Sequence, residues 1–215
     1  MTKPPARVPR RSNARSNRER ILATARRELG RNPDITLEEL ARASGVVRRT
    51  LFGHFPGREA LLEALAEEAA QTLRAALPGD PEPGEPESAD RAFARFVLSM
   101  WTVGDRYRLL LALARRDLGV ERVTEILAPA RRAATAVLDR GQREGVFHTQ
   151  LPAAVLSAGV EAMTIALLEA VNSGQLEDDG THAAVATLIA AGVPEKRARD
   201  VVDEIAGATR TATDD

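Results

Sequence analysis

The stretch GVVRRTLFGHF, residues 45–55, decides the fold. Gly45 is a residue that accepts a left-handed backbone, and a helical pattern resumes directly after it, with Val46, Leu51 and Phe55 on an inward face. Upstream, Thr36-Leu37-Glu38-Glu39 has the form of a capping box, in which the threonine hydroxyl and a glutamate three residues on each satisfy a free backbone N–H. Leu37, Leu40 and Ala41 give this first helix an apolar side, and Ser44-Gly45 ends it. Two short helices joined by a tight glycine turn make a helix-turn-helix.

Working outward, residues 1–15 contain Pro and Arg without periodicity and form a flexible basic arm. Ser16-Asn17-Arg18-Glu19 fits another capping box, opening a helix with Ile21, Leu22, Ala25 and Leu29 on one stripe and Gly30 at its close. Pro56-Gly57 breaks the chain after the second short helix, and residues 58–77 form a long helix carrying Leu61, Leu62, Leu65, Ala69 and Leu73. The segment PGDPEPGEPES, 78–88, is a surface loop. Further helices are expected near 89–103, 105–117, 120–144, 152–172, 181–191 and 194–206, with a kink or break at Pro129 and first helical positions at Pro152 and Pro194. Residues 207–215 lack apolar periodicity and fray. The expected class is all-α: a basic arm 1–15, a helix-turn-helix domain 16–63, a larger helical domain 64–206 and a tail 207–215.

Composition supports this class. Hydrophobic residues make up 44% and aromatics only 3%, so alanine- and leucine-rich helices are favoured over strands. The absence of cysteine excludes disulfides, thiolate zinc sites and a cysteine nucleophile. The charged N-terminus has no apolar run of the secretory kind, which points to the cytoplasm. The longest apolar stretch, 153–171, contains Glu161 and Glu169 and is read as a buried helix rather than a membrane span.

Charge is unevenly placed. Residues 1–58 hold 14 Lys or Arg against 5 Asp or Glu, and the remainder 16 against 26. One end is suited to a polyanion, unless the surplus is a solvated tail, since ten of those cations fall in the first 31 positions. Arg48 and Arg49 sharpen the choice. Adjacent arginines on a helix are commonly a solvated face. Here they open a short helix whose other side is anchored by Val46, Leu51 and Phe55, the arrangement a helix needs to enter a major groove. The arginine fork fits the O6 and N7 acceptors of guanine, while Thr50, His54 and Arg58 stand where phosphates would pass.

The stretch ILATARRELGRNPDITLEELARASGVVRRTLFGHFPGREALLEAL, residues 21–65, closely resembles the DNA-binding domain of the TetR family of transcriptional repressors. The matching positions are Ile21, Leu22, Ala25, Gly30, Thr36, Ala41, Gly45, Val46, Thr50, Leu51, His54, Phe55, Glu59 and Leu62. The resemblance implies that Val46 to Phe52 holds the recognition helix and that Thr36, Val47, Arg48, Arg49, Thr50, Phe52, His54 and Arg58 form the double-stranded DNA contact set. Two residues depart from it. Phe52 stands where the family has tyrosine, removing a phosphate-binding hydroxyl, and Val47 stands where it has serine or threonine, removing a side-chain cap.

The larger domain resembles the family's ligand-binding and dimerisation domain in helix order and length. Along 153–171, Leu156, Val160, Met163, Leu167 and Val171 make one apolar stripe, and Val155, Ala158, Gly159, Ala162, Ile165 and Ala166 broaden it with small residues. Such a helix either is buried in one subunit or meets a second copy. On the second reading, a homodimer interface takes Leu156, Gly159, Val160, Met163, Leu167, Val201 and Ile205, and the operator is an inverted repeat. Phe93, Phe96, Met100, Trp101 and Tyr107, clustered in sequence, are core or, with Met163, the wall of a pocket for a small, largely apolar effector. No cofactor motif, metal spacing or catalytic constellation stands out, and His54, His148 and His182 are scattered, so the chain is not expected to be an enzyme. The alternative to a DNA-binding regulator is a helical dimeric adaptor acting through protein contacts.

Overall fold

The computed structural model describes residues 10–77 and 87–213, with side chains over 14–77 and 87–208. Among these it places nine helices and no strand: α1 (Arg10–Arg31), α2 (Leu37–Ala43), α3 (Arg48–His54), α4 (Arg58–Ala76), α5 (Ala89–Asp117), α6 (Val120–Arg143), α7 (Ala153–Asn172), α8 (Thr181–Ala190) and α9 (Glu195–Thr213). The chain divides into two compact units. One runs up to Glu68 and includes Leu109–Val123; the other holds Ala69–Arg108 and the chain from Thr124 onward.

In the first unit α1, α2 and α3 pack in all three pairings. Ile21, Leu22, Ala25 and Leu29 of α1, Leu40 and Ala41 of α2, and Leu51 of α3 are buried, as are Leu61, Leu62 and Leu65 of α4. Burying each large side chain contributes roughly 1.5–3 kcal/mol, so a few anchors hold a seven-residue helix that could not stand alone. Gly30 lets Leu109 approach, because a Cβ there would meet the Leu109 Cδ1 at 2.8 Å.

Three expectations are corrected. α1 begins at Arg10, not Ser16; Ser16 is an exposed interior residue, and Glu19 pairs with Arg15 at 2.9 Å instead of reaching back to a cap. No Gly or Pro lies between Arg10 and Ser16, so nothing stops the helix from continuing toward the N-terminus. Of the expected flexible arm, residues 1–9 lie outside the described residues. α5 is one helix across Gly104, which serves a close approach: a Cβ there would lie 2.9 Å from Leu168 Cδ1. α9 continues to Thr213, beyond the expected end at 206. α6 runs through Pro129 as one helix. The expected loop 78–88 lies outside the described residues except for its last two positions.

The second unit has a core of Phe93, Phe96 and Val97 from α5, Leu138 from α6, Leu156 and Val160 from α7, Leu188 from α8, and Val201 and Val202 from α9. Phe93 meets Phe147 edge-on at 5.7 Å and 66°. A smaller cluster joins Trp101, Leu168 and Ala183. There α8 is capped by Asp178, whose carboxylate accepts the N–H groups of Gly180, His182 and Ala183 at 2.9–3.0 Å.

Candidate nucleic-acid interface

The helix-turn-helix is set by local chemistry at α2 and by tertiary anchors at α3. The Thr36 hydroxyl accepts the Glu39 N–H at 3.2 Å, and the Glu39 carboxylate accepts the Thr36 N–H at 2.8 Å and its hydroxyl at 2.7 Å. The Thr36 hydroxyl and backbone N–H hold the Glu39 carboxyl below the usual range. At the other end Gly45 has φ +64°. The Gly45 and Val46 N–H groups return to Arg42 O and Ala41 O at 3.1 and 3.0 Å, and the buried Ser44 hydroxyl donates to Leu40 O at 2.7 Å. This is a complete Schellman closure, and it aims the next helix.

α3 starts at an extended Val47 with no side-chain cap. Leu51 is fully buried and Phe55 nearly so, which fixes the inward direction. At about 100° per residue, Arg49 and Gly53 lie opposite Leu51. Val47, Arg48, Arg49 and Gly53 are exposed; Thr50, Phe52 and His54 are half-buried at the flanks. Of the sequence-expected residues, Arg49 points away from the anchors, Arg48 and Phe52 lie on one flank of α3, and Thr50 and His54 on the other. Arg49 makes no ion pair or hydrogen bond among the described residues. Arg48 is 2.9 Å from Glu38 and its guanidinium lies 5.1 Å from the Phe52 ring centre, so Phe52, lacking a hydroxyl, serves as a platform. A pair this exposed is worth about 0–1 kcal/mol, so a phosphate can take Arg48 from Glu38.

Two expected contacts have other duties. The Thr36 hydroxyl proton goes to Glu39. Arg58 spreads its fork over the chain itself, donating to Ile35 O at 3.1 Å and to Pro33 O, with Asp117 at 3.4 Å. Arg116 completes this clasp, 2.6 Å from Asp117 and 3.3 Å from Asp34. Hydrogen bonding from Arg116 foremost holds the Asp117 carboxyl below the usual range; burial opposes it, and Arg58 adds to the lowering. Arg18, which sequence reasoning passed over, sits 5.5 Å from the Phe55 ring at the end of α3. Only the basic surplus of the N-terminal segment hinted at it.

In the second unit Phe93, Phe96, Trp101 and Tyr107 are buried and Met100 and Met163 half-buried. The Tyr107 hydroxyl is 3.2 Å from that of Thr72. An open groove of about 650 Å³ lies elsewhere, lined by Ala128, Arg131, Arg132, Thr135, Ala136, Asp139, Ala153 and Ala154. The expected interface set divides. Leu156, Val160 and Val201 are buried in the unit's own core, so they are not surface for a second copy. Gly159 is exposed, and Met163, Leu167 and Ile205 are half-buried. The stripe left outside is Val155, Ala158, Gly159, Ala162 and Ala166, so α7 is buried on one side only. By length and composition α7 could cross a membrane, and it is the one such helix among the described residues. Among the described residues, no group of three or more His, Asp or Glu is placed to hold a metal ion.

Residues 21–65 match the family model described as "Bacterial regulatory proteins, tetR family". No curated protein matches the chain at a significant level. Among solved structures, the fold is similar to PfmR, a TetR-family transcriptional regulator from Thermus thermophilus, at 19% identity, covering 81% of this chain and 98% of that one with TM-score 0.66. It is similar to the transcriptional regulator FadR from Bacillus subtilis in complex with stearoyl-CoA, at 15% identity, 81% and 97% coverage and TM-score 0.64. RolR in complex with resorcinol is a third, at 22% identity, 90% and 96% coverage and TM-score 0.56.

Proposed function

Because the chain belongs, through residues 21–65, to the TetR family of bacterial regulatory proteins, we propose that it is a sequence-specific DNA-binding transcriptional regulator. In this reading it is a cytoplasmic, non-enzymatic repressor that leaves an inverted-repeat operator when a small, largely apolar compound binds. The observation that carries the reading is the outward edge of α3: Arg48 and Arg49 exposed in the first turn of a helix whose opposite side is anchored by Leu51 and Phe55. Arg49 is the base reader, and Arg48, His54 and Arg18 meet phosphates.

Two copies join across the outer stripe of α7, where Gly159 and the alanines allow helices to approach closely. A twofold dimer presents two recognition helices, one for each half-site of an inverted repeat. The effector site is proposed along α5, around Met100, Trp101 and Tyr107, where Tyr107 and Thr72 supply a polar pair in an apolar setting. Resorcinol, the small phenol named for RolR, is of that chemistry, whereas of the stearoyl-CoA named for FadR only the acyl chain is. An effector lowers DNA affinity only by the difference in its affinity for the two conformations.

The test is selection of bound duplexes from a random pool, followed by a salt titration. The expected result is one inverted-repeat sequence whose binding weakens steeply with salt. Recovery of no preferred duplex overturns the reading in favour of a dimeric adaptor, for which the uncapped start of α3 is the favouring observation.

A further inference from the structure

The recognition edge has an apolar member. Val47 is 69% exposed, the most exposed large hydrophobic side chain among the described residues, and it stands at the start of α3 without contributing a cap. The inward anchoring of α3 is done by Leu51 and Phe55, so Val47 is not needed for packing. Two residues further on, Arg49 opens the ridge that it forms with Gly53 opposite Leu51. Gly53 has nothing within 4 Å of where a Cβ would stand, so this ridge is low and the helix backbone can come close to a groove floor. Arg48 is drawn aside by Glu38 and Phe52. The forward surface therefore offers one branched apolar group and one unpaired guanidinium.

The major groove presents a complementary pair of features. Its one apolar group is the 5-methyl of thymine, and its best guanidinium target is the O6 and N7 edge of guanine. From the exposure of Val47 at the N-cap of α3 and of Arg49 in its first turn, we infer that Val47 packs on a thymine methyl while Arg49 takes a guanine, so each half-site carries both a T·A and a G·C pair. The inference rests on the DNA-binding function proposed above and adds a specificity-determining residue to it. The contact is apolar, so its share of the affinity does not change with salt, unlike the phosphate contacts.

The experiment takes the selected operator and replaces each thymine in turn by deoxyuridine, which deletes only the methyl group. One position in each half-site should cost the wild-type protein about four-fold in affinity, the ratio expected for one buried methyl. The loss should be the same at low and high salt. The Val47→Ser variant, whose hydroxyl can cap α3 and so favours the folded state, should bind thymine and uracil operators equally. Circular dichroism and thermal unfolding confirm that the variant is folded. A wild-type protein indifferent to every uracil, or a Val47→Ser variant with undiminished methyl sensitivity, overturns the inference. Failure to select any duplex overturns the DNA-binding function itself, a separate outcome.

Discussion

Helices α2 and α3 are each seven residues long and adjoin across residues 44–47, yet they are held in opposite ways. α2 is closed at both ends by its own sequence, through the Thr36–Glu39 box and the Ser44–Gly45 turn. α3 has neither a cap nor an acidic residue in its first turn, and depends on what Leu51 and Phe55 bury. The first helix is closed by its own residues; the second, which the proposed function makes the reading helix, leaves its outward side and its first turn open. Local hydrogen bonds and distant packing are thus divided between two neighbours of equal length.

The sharpest way to break this division is Leu51→Ala. It should cost roughly 2–5 kcal/mol in urea unfolding and release α3 before α2. Gly45→Ala, open in space but at φ +64°, should cost roughly 1–2 kcal/mol and shift the aim of α3, read as lost operator affinity. Thr36→Ala should cost about 1 kcal/mol. Val47→Ser should act in the other direction, raising stability by about 0.5–1 kcal/mol, since Val47 already has the extended backbone a capping residue uses. Equal losses from Thr36→Ala and Val47→Ser would erase the distinction between the two helices.

The smallest effect concerns acid. The Asp117 carboxyl is held below its usual range in the folded protein, so the clasp with Arg116 and Arg58 is complete above the unfolded value near pH 4 and is lost as pH falls through the lower folded value. Asp117→Asn should remove that part of the acid dependence, measured as the thermal midpoint of wild type and variant from about pH 6 to pH 3.

What the sequence made legible follows the same division. The Thr36 box, the Gly45 turn and the inward Leu51 and Phe55 are short-range patterns, and all are seen in the structure. The Ser16 box failed because S-x-x-E is compatible with a helix interior, and no breaker precedes it until Pro9. Gly104 looked like a break because its use, room for Leu168, lies 64 positions away. α7 showed two apolar stripes, and spacing cannot say which one a single chain buries; the leucine and valine stripe went inward and the smaller one stayed out. On the outward side of α3, the exposure of Arg48 and Arg49 was legible, but arginine partners were not. Glu38 beside Arg48 and Asp117 beside Arg58 are meetings made by the fold.

Arg58 shows what such a meeting demands of chemistry. Its three nitrogens serve Ile35 O, Pro33 O and the Asp117 carboxylate at once, a task for a flat fork rather than a point charge. A lysine in its place would conserve the charge and forfeit the geometry. The backbone of residues 32–35 would then exchange its amide hydrogens faster, although an electrostatic map of the molecule would look unaltered.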